Sequence, residues 1–211
     1  MRRVIATVVI GALLGGAGCA VPKVKLGLET RQYKSDDYDK VLTRWTRRAE
    51  AYEYFESRIF AYATFKSWDF RQAQIAKRSS AERLPTADVK RLVASERSEV
   101  DSGHTVFLAV HTHRWEWNHL EDTDNKALWR IRLVTSTGDS AAPIAVERLG
   151  TRNARYTALY PYYKDFYVAY MVRFPLVSEA QKPILDANTR EFSVRISGPQ
   201  AAIDLKWEVA P

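Results

Sequence analysis

All four histidines of this 211-residue chain fall between positions 104 and 119. His111 and His113 lie two apart in an apolar run, Val106 to Trp117, that reads as a β-strand, so both side chains point to one face. Imidazoles placed this way can share a divalent metal ion, with Glu116, His119 or Asp122 as a third donor. The spacing fixes no complete ligand set, so the plainer reading has both rings at a sheet edge, bonded to neighbours or water.

A second cluster is aromatic. Tyr156, Tyr160, Tyr162, Tyr163, Phe166 and Tyr167 gather around Pro161 and Lys164. Exposed, Tyr160, Tyr162, Tyr163 and Tyr167 would form a binding surface for sugar rings or a partner protein. Buried, about half of them would fill the core where a loop enters a strand, since tyrosine serves both roles. Gly138-Asp139-Ser140 resembles the nucleophile motif of GDS-type esterases over these three residues. In that family the motif lies near the chain start and the catalytic histidine near the end. Here every histidine precedes Ser140, and Gly, Asp and Ser are also the usual residues of a hairpin turn. No nucleophile has a base within evident reach, and the expectation is a protein without catalytic residues.

These residues need a frame. Ser35 or Asp36 reads as a helix N-cap, and Tyr38, Leu42, Trp45, Ala49, Tyr52 and Phe55 follow at spacings of three and four. Arg44, Arg47 and Arg48 fall on the opposite face, where they face water or anionic lipid. Residues 58–66 alternate as a strand would, Ser67 caps a helix to about Arg78, and Thr86 caps another with Val89, Leu92, Val93 and Val100 on one side. From His104 onward, six or seven short alternating runs are divided by turn signals at 122–125, 137–140, 150 and 197–199. Period-2 alternation buries one face and wets the other. The expected fold is α+β: N-terminal helices followed by an antiparallel β-sandwich of immunoglobulin-like type.

A hydrophobic content of 46% against 27% charged suits a globular chain with a real core and not a disordered one. One cysteine excludes an internal disulfide, so the fold must hold by packing. The net charge of +7 favours acidic surfaces only weakly.

The one cysteine sits where a leader ends. Arg2 and Arg3 precede an uncharged stretch from Val4 to Leu14, and Gly15-Gly16-Ala17-Gly18 lead into Cys19. The stretch is too short to span a bilayer, which takes about 20 apolar residues. A basic start, an apolar centre and small residues make a secretory signal, and with the cysteine the segment resembles a bacterial lipoprotein signal. It departs from that pattern in carrying Gly16 where the family usually has Leu. The resemblance implies cleavage before Cys19, covalent lipid on that residue, and attachment to a membrane of the cell envelope. Ala20 in place of the retention signal Asp implies the outer membrane, facing the periplasm. An exported protein has no call for nucleic acid, so the expected partner is an envelope protein or the cell wall. The expected organisation is a signal over 1–18, a tether over 19–34, a mainly helical region over 35–101 with a strand near 58–66, and the sandwich over 102–211. Two readings of function follow: a non-catalytic, membrane-anchored binding or assembly component, or a metal protein built on His111 and His113.

Overall fold

The computed structural model describes residues 21–122, 127–150 and 153–211; the leader and Cys19 lie outside them. The chain is α+β with two antiparallel sheets. Helix α1 (Tyr38–Trp45) leads directly into strand β1 (Thr46–Glu53), which turns back as β2 (Glu56–Phe65). Helices α2 (Trp68–Ala81) and α3 (Thr86–Ser102) follow, then β3 (His104–Thr112). The rest comprises β4 (Arg130–Thr135), β5 (Ser140–Ala141), β6 (Ala145–Arg148), α4 (Ala154–Leu159), β7 (Val168–Phe174), β8 (Glu191–Gly198) and β9 (Ala201–Glu208). One sheet has the order β1-β2-β3-β7-β6 and the other β5-β4-β8-β9.

Three expectations need correction. The helix anticipated to Phe55 stops at Trp45. Thr46 is already extended, and Arg47, Ala49 and Ala51 alternate with Arg48, Glu50 and Tyr52 along β1. Tyr38, Val41, Leu42 and Trp45 are the true buried stripe; Ala49, Tyr52 and Phe55 continue its spacing by coincidence, and pairing with β2 overrides it. Second, β2, the strand expected near 58–66, joins one sheet with β3, β7 and β6, with α2 and α3 inserted between β2 and β3, and the unanticipated strand β1 joins it too. Third, the described part of the expected tether is docked. Val24 is fully buried, its N–H donates to the Glu208 carbonyl at 2.8 Å, and its carbonyl accepts from Ala210 N–H at 2.7 Å.

The sheets share a core. Phe65, Ala63, Ala61 and Ile59 of β2 lie opposite Val106, Leu108, Val110 and Thr112 of β3, so these side chains leave the sheet on the same side. They meet the second sheet where Phe65 contacts Phe192, with centroids 4.9 Å apart, and Phe192 stacks on Trp207 at 5.1 Å and 8°. Trp207 Nε1 donates to the Trp45 carbonyl at 2.9 Å, which fixes the end of α1 over this core.

Buried polar groups close the seams. Arg47 donates to the carbonyls of Lys206 (2.7 Å), Pro22 (2.8 Å), Arg44 (2.9 Å) and Thr46 (2.8 Å), tying α1, β1 and β9 to the incoming chain. Burial pulls its pKa down to about 10. Asp69, in the first turn of α2, accepts from Trp45 Nε1 at 2.8 Å, Arg31 at 3.1 Å, Arg44 at 3.3 Å and the Tyr33 hydroxyl. The basic face expected at Arg44, Arg47 and Arg48 is therefore dispersed: Arg44 is spent on Asp69, Arg47 is interior, and Arg48 alone is exposed.

Candidate functional site

The outer face of the five-stranded sheet carries most of the residues singled out above. Register places Thr64, Tyr62 and Phe60 of β2 opposite Phe107, Ala109 and His111 of β3, and opposite Thr46, Arg48 and Glu50 of β1. Along this face one half is covered and the other is not.

The covering piece is α4 and the segment after it. Tyr160 lies flat on Phe107, with centroids 3.7 Å apart and planes 4° from parallel. Tyr163 meets the same ring edge-on. Gln74 donates to the Tyr160 hydroxyl at 3.1 Å, and the Tyr38 hydroxyl donates to the Leu159 carbonyl at 2.6 Å, so α1 and α2 clamp the segment from above. Tyr160 and Tyr163, expected on a binding surface, are thus core residues at 0% and 7% exposure. Desolvation pushes the Tyr160 phenol well above its ordinary pKa. Tyr162 is half-buried, its hydroxyl hydrogen-bonded to Thr64 Oγ1 at 2.5 Å.

Beyond Tyr162 the cover stops and an aromatic ladder runs over the open half. Tyr162 stacks on Tyr62 at 5.0 Å, and Tyr62 meets Tyr167 at 5.8 Å. Tyr167 contacts His111 at 6.0 Å, His111 stacks on Phe60 at 6.1 Å, and Tyr52 closes the row edge-on to Phe60 at 5.6 Å. Phe166, 80% exposed, contacts the same His111 ring. Arg48 lies over the Tyr62 ring at 5.8 Å and pairs with Glu50 at 2.5 Å. Next to Tyr62, α1 and Pro161 enclose a groove of about 410 Å³ lined by Leu42, Thr43, Arg48 and Tyr162.

The row ends in a two-residue hairpin turn, Tyr54-Phe55, between paired Glu53 and Glu56. Both rings project into water, at 92% and 103% exposure. Tyr54 holds φ +55°, a left-handed conformation costing a side-chain-bearing residue about 1–2 kcal/mol. Of the four tyrosines expected to bind, only Tyr162 and Tyr167 belong to this face, and Tyr52, Tyr54, Phe55, Phe60 and Tyr62 were not anticipated as surface residues. For Phe60 and Tyr62 the signal is the second alternation within 58–66, where they share the parity opposite to the core residues.

The histidines separate. The expected strand to Trp117 ends at Thr112, whose hydroxyl donates to the Arg114 carbonyl at 2.6 Å as the chain turns into one turn of 3-10 helix, Trp115–Trp117. His111 is on the strand and His113 past its end, exposed. His119 sits elsewhere, between Glu121 and Arg148. Among the described residues no group of three or more His, Cys, Asp or Glu side chains could hold a metal ion. His111 Nδ1 lies 3.0 Å from the Phe166 carbonyl, an acceptor only, so Nδ1 is the donor of this bond.

Gly138 and Ser140 serve a turn. Gly138 takes φ +90°, and Thr135 N–H donates to the Asp139 carbonyl at 2.9 Å. The Ser140 hydroxyl accepts from Arg132 at 2.9 Å, a guanidinium and not a base.

No family model and no curated protein matches the chain. Among solved structures, a protein of unknown function from Burkholderia pseudomallei K96243 is similar with a TM-score of 0.42 and 13% identity, over 86% of this chain and 94% of that one. No helix among the described residues is long and apolar enough to cross a membrane.

Proposed function

We propose that this protein is a lipoprotein of the cell envelope, held by lipid on Cys19 in the outer membrane and facing the periplasm, that acts as a non-catalytic binding or assembly component. Its two sheets serve as an immunoglobulin-like sandwich serves, as a rigid frame for a contact surface. The observation that carries this reading is the open half of the outer face. Tyr52, Phe60, His111, Phe166 and Tyr167 form one continuous aromatic row outside the core, extended by Tyr54 and Phe55. Contiguous exposed apolar surface of this kind marks interaction sites, and tyrosine with arginine dominates protein–protein contacts. The favoured partner is a second envelope protein.

Cross-linking in intact cells, followed by affinity recovery of the tagged chain and mass spectrometry, tests the reading. The expected result is one reproducible envelope protein with the wild type and its loss with Tyr52→Ser plus Phe166→Ser. Recovery of peptidoglycan fragments would reassign the face to the cell wall. Recovery of the chain alone, or of the same partner with both variants, would overturn the reading.

A second reading keeps His111 as a metal ligand. It is favoured by the Nδ1 hydrogen bond to a backbone carbonyl, the support that metal-ligating histidines usually have. Here His113 would have to swing in from beyond the strand.

A further inference from the structure

A cavity of about 440 Å³ opens at the end of the sandwich where β2 and β3 leave the sheet, and it shares no residue with the aromatic row. Part of its wall is aliphatic. Leu26 and Leu28 come from the docked N-terminal segment, Val100 from α3, and Leu176 and Leu185 from the connection between β7 and β8; Phe65 adds an aromatic face. The volume falls within the range of about 300–1,000 Å³ typical of small-molecule sites.

Two residues of one wall carry buried polar atoms without a partner. Trp68 is 6% exposed, and its Nε1, which can only donate, has no partner among the described residues. The Nε2 of His104 is likewise buried and unpaired. Lys66, beside them, has its nearest carboxylate oxygen on Glu96 at 3.8 Å, beyond hydrogen-bonding distance. That oxygen is already engaged by the buried Arg71. Burial lowers the Lys66 pKa to about 8 and that of His104 to about 4, so the His104 ring is neutral at neutral pH. Buried polar groups of native proteins nearly always find partners, so the unpaired Trp68 N–H, with the Lys66 ammonium on the same wall, calls for an acceptor.

We propose that this cavity binds an acyl chain whose head carries a carbonyl oxygen, with the chain against the leucines and the oxygen toward Trp68 and Lys66. The five aliphatic side chains on the walls suit an acyl chain. Asp101 and Asp186 also line the cavity and disfavour a guest of high negative charge, so a single carboxylate or an ester is the fitting head.

The test is titration of the purified full-length chain with laurate and with glycerol monolaurate, each below its micellar concentration, followed by calorimetry. The wild type is expected to bind at least one saturably. Trp68→Phe, which keeps the ring and removes the N–H, is expected to weaken binding about tenfold, and Leu185→Trp, which fills the cavity, to abolish it. Lys66→Met distinguishes the sources: weakening for laurate alone indicates a free fatty acid, whereas binding of monolaurin with no loss in Lys66→Met indicates an acyl ester. Absence of binding by the wild type to both probes, or binding unchanged in Leu185→Trp, would overturn the proposal. Leu185→Trp decides alone should Trp68→Phe fail to fold.

Discussion

Tyr160 and Phe107 lie face to face at 3.7 Å, 53 positions apart in sequence, and this pair divides the outer sheet face into a sealed half and an open half. Tyr160 is fully buried and also hydrogen-bonded to Gln74, so its removal leaves both a cavity and an unpaired amide. Tyr160→Ala is expected to destabilise the fold by about 3–5 kcal/mol, the usual cost of deleting a buried aromatic. Urea unfolding followed by far-UV circular dichroism checks this; a cost below about 1 kcal/mol would place Tyr160 outside the core.

Phe166 gives the opposite expectation. Its ring is largely in water, so Phe166→Ser should change stability by no more than about 0.5 kcal/mol. The same urea experiment measures it, and a large loss would mean that the aromatic row is structural and not free for a partner.

Asp69 joins the docked N-terminal segment, α1 and α2 through four donors. Asp69→Ala leaves the Trp45 indole and parts of two guanidinium groups unpaired. The expected loss is about 1–3 kcal/mol, chiefly from the buried Trp45 N–H left unpaired, since Arg31 and Arg44 are over a third exposed and can turn to water. Limited proteolysis of the variant should cut first within 25–34, and resistance there would show that Val24 and its pairing hold the segment without Asp69.

His104 predicts an acid dependence. Its folded-state pKa is about 4 because burial penalises the charged ring, against an ordinary value near 6.5. Between these values the unfolded chain binds a proton that the folded chain refuses. Its contribution is therefore fully present at neutral pH and is lost as pH falls through 6.5 toward 4, by about 2–3 kcal/mol in all. Melting temperature measured from pH 7 to 4 should fall more steeply for the wild type than for His104→Phe. Equal slopes would assign the acid sensitivity to other groups.

Ser140→Ala should be nearly silent. The hydroxyl takes part in one bond to Arg132, and Arg132 also pairs with Glu179, so the expected cost is about 1 kcal/mol or less by thermal melting. An associated loss of any hydrolase activity would revive the esterase resemblance.

The sequence revealed the strands best where one face is wet. Phe192, Val194 and Ile196 alternate with exposed or polar neighbours, and β8 and β9 follow that pattern almost residue for residue. It misled at Trp45, because Ala49, Tyr52 and Phe55 fit a helical period while Thr46 onward pairs with a strand whose contribution is non-local. The tyrosine cluster was visible as a cluster, but its division into core and surface was not. Which rings are buried depends on Phe107, Gln74 and Tyr38, all distant in sequence. Phe60 and Tyr62 were hidden for a related reason: β2 is apolar on both faces, and only the position of α4 leaves part of its outer face bare.

The docking of Val24 between Glu208 and Ala210 also sets a length. With a lipid on Cys19, four residues, Ala20 to Lys23, separate the membrane anchor from Val24, and fully stretched the link spans at most about 18 Å. A free segment to residue 34 would have reached about 50 Å. On the proposed lipid anchor the body would be a short-leashed head, its docked N-terminal edge kept close to the lipid surface.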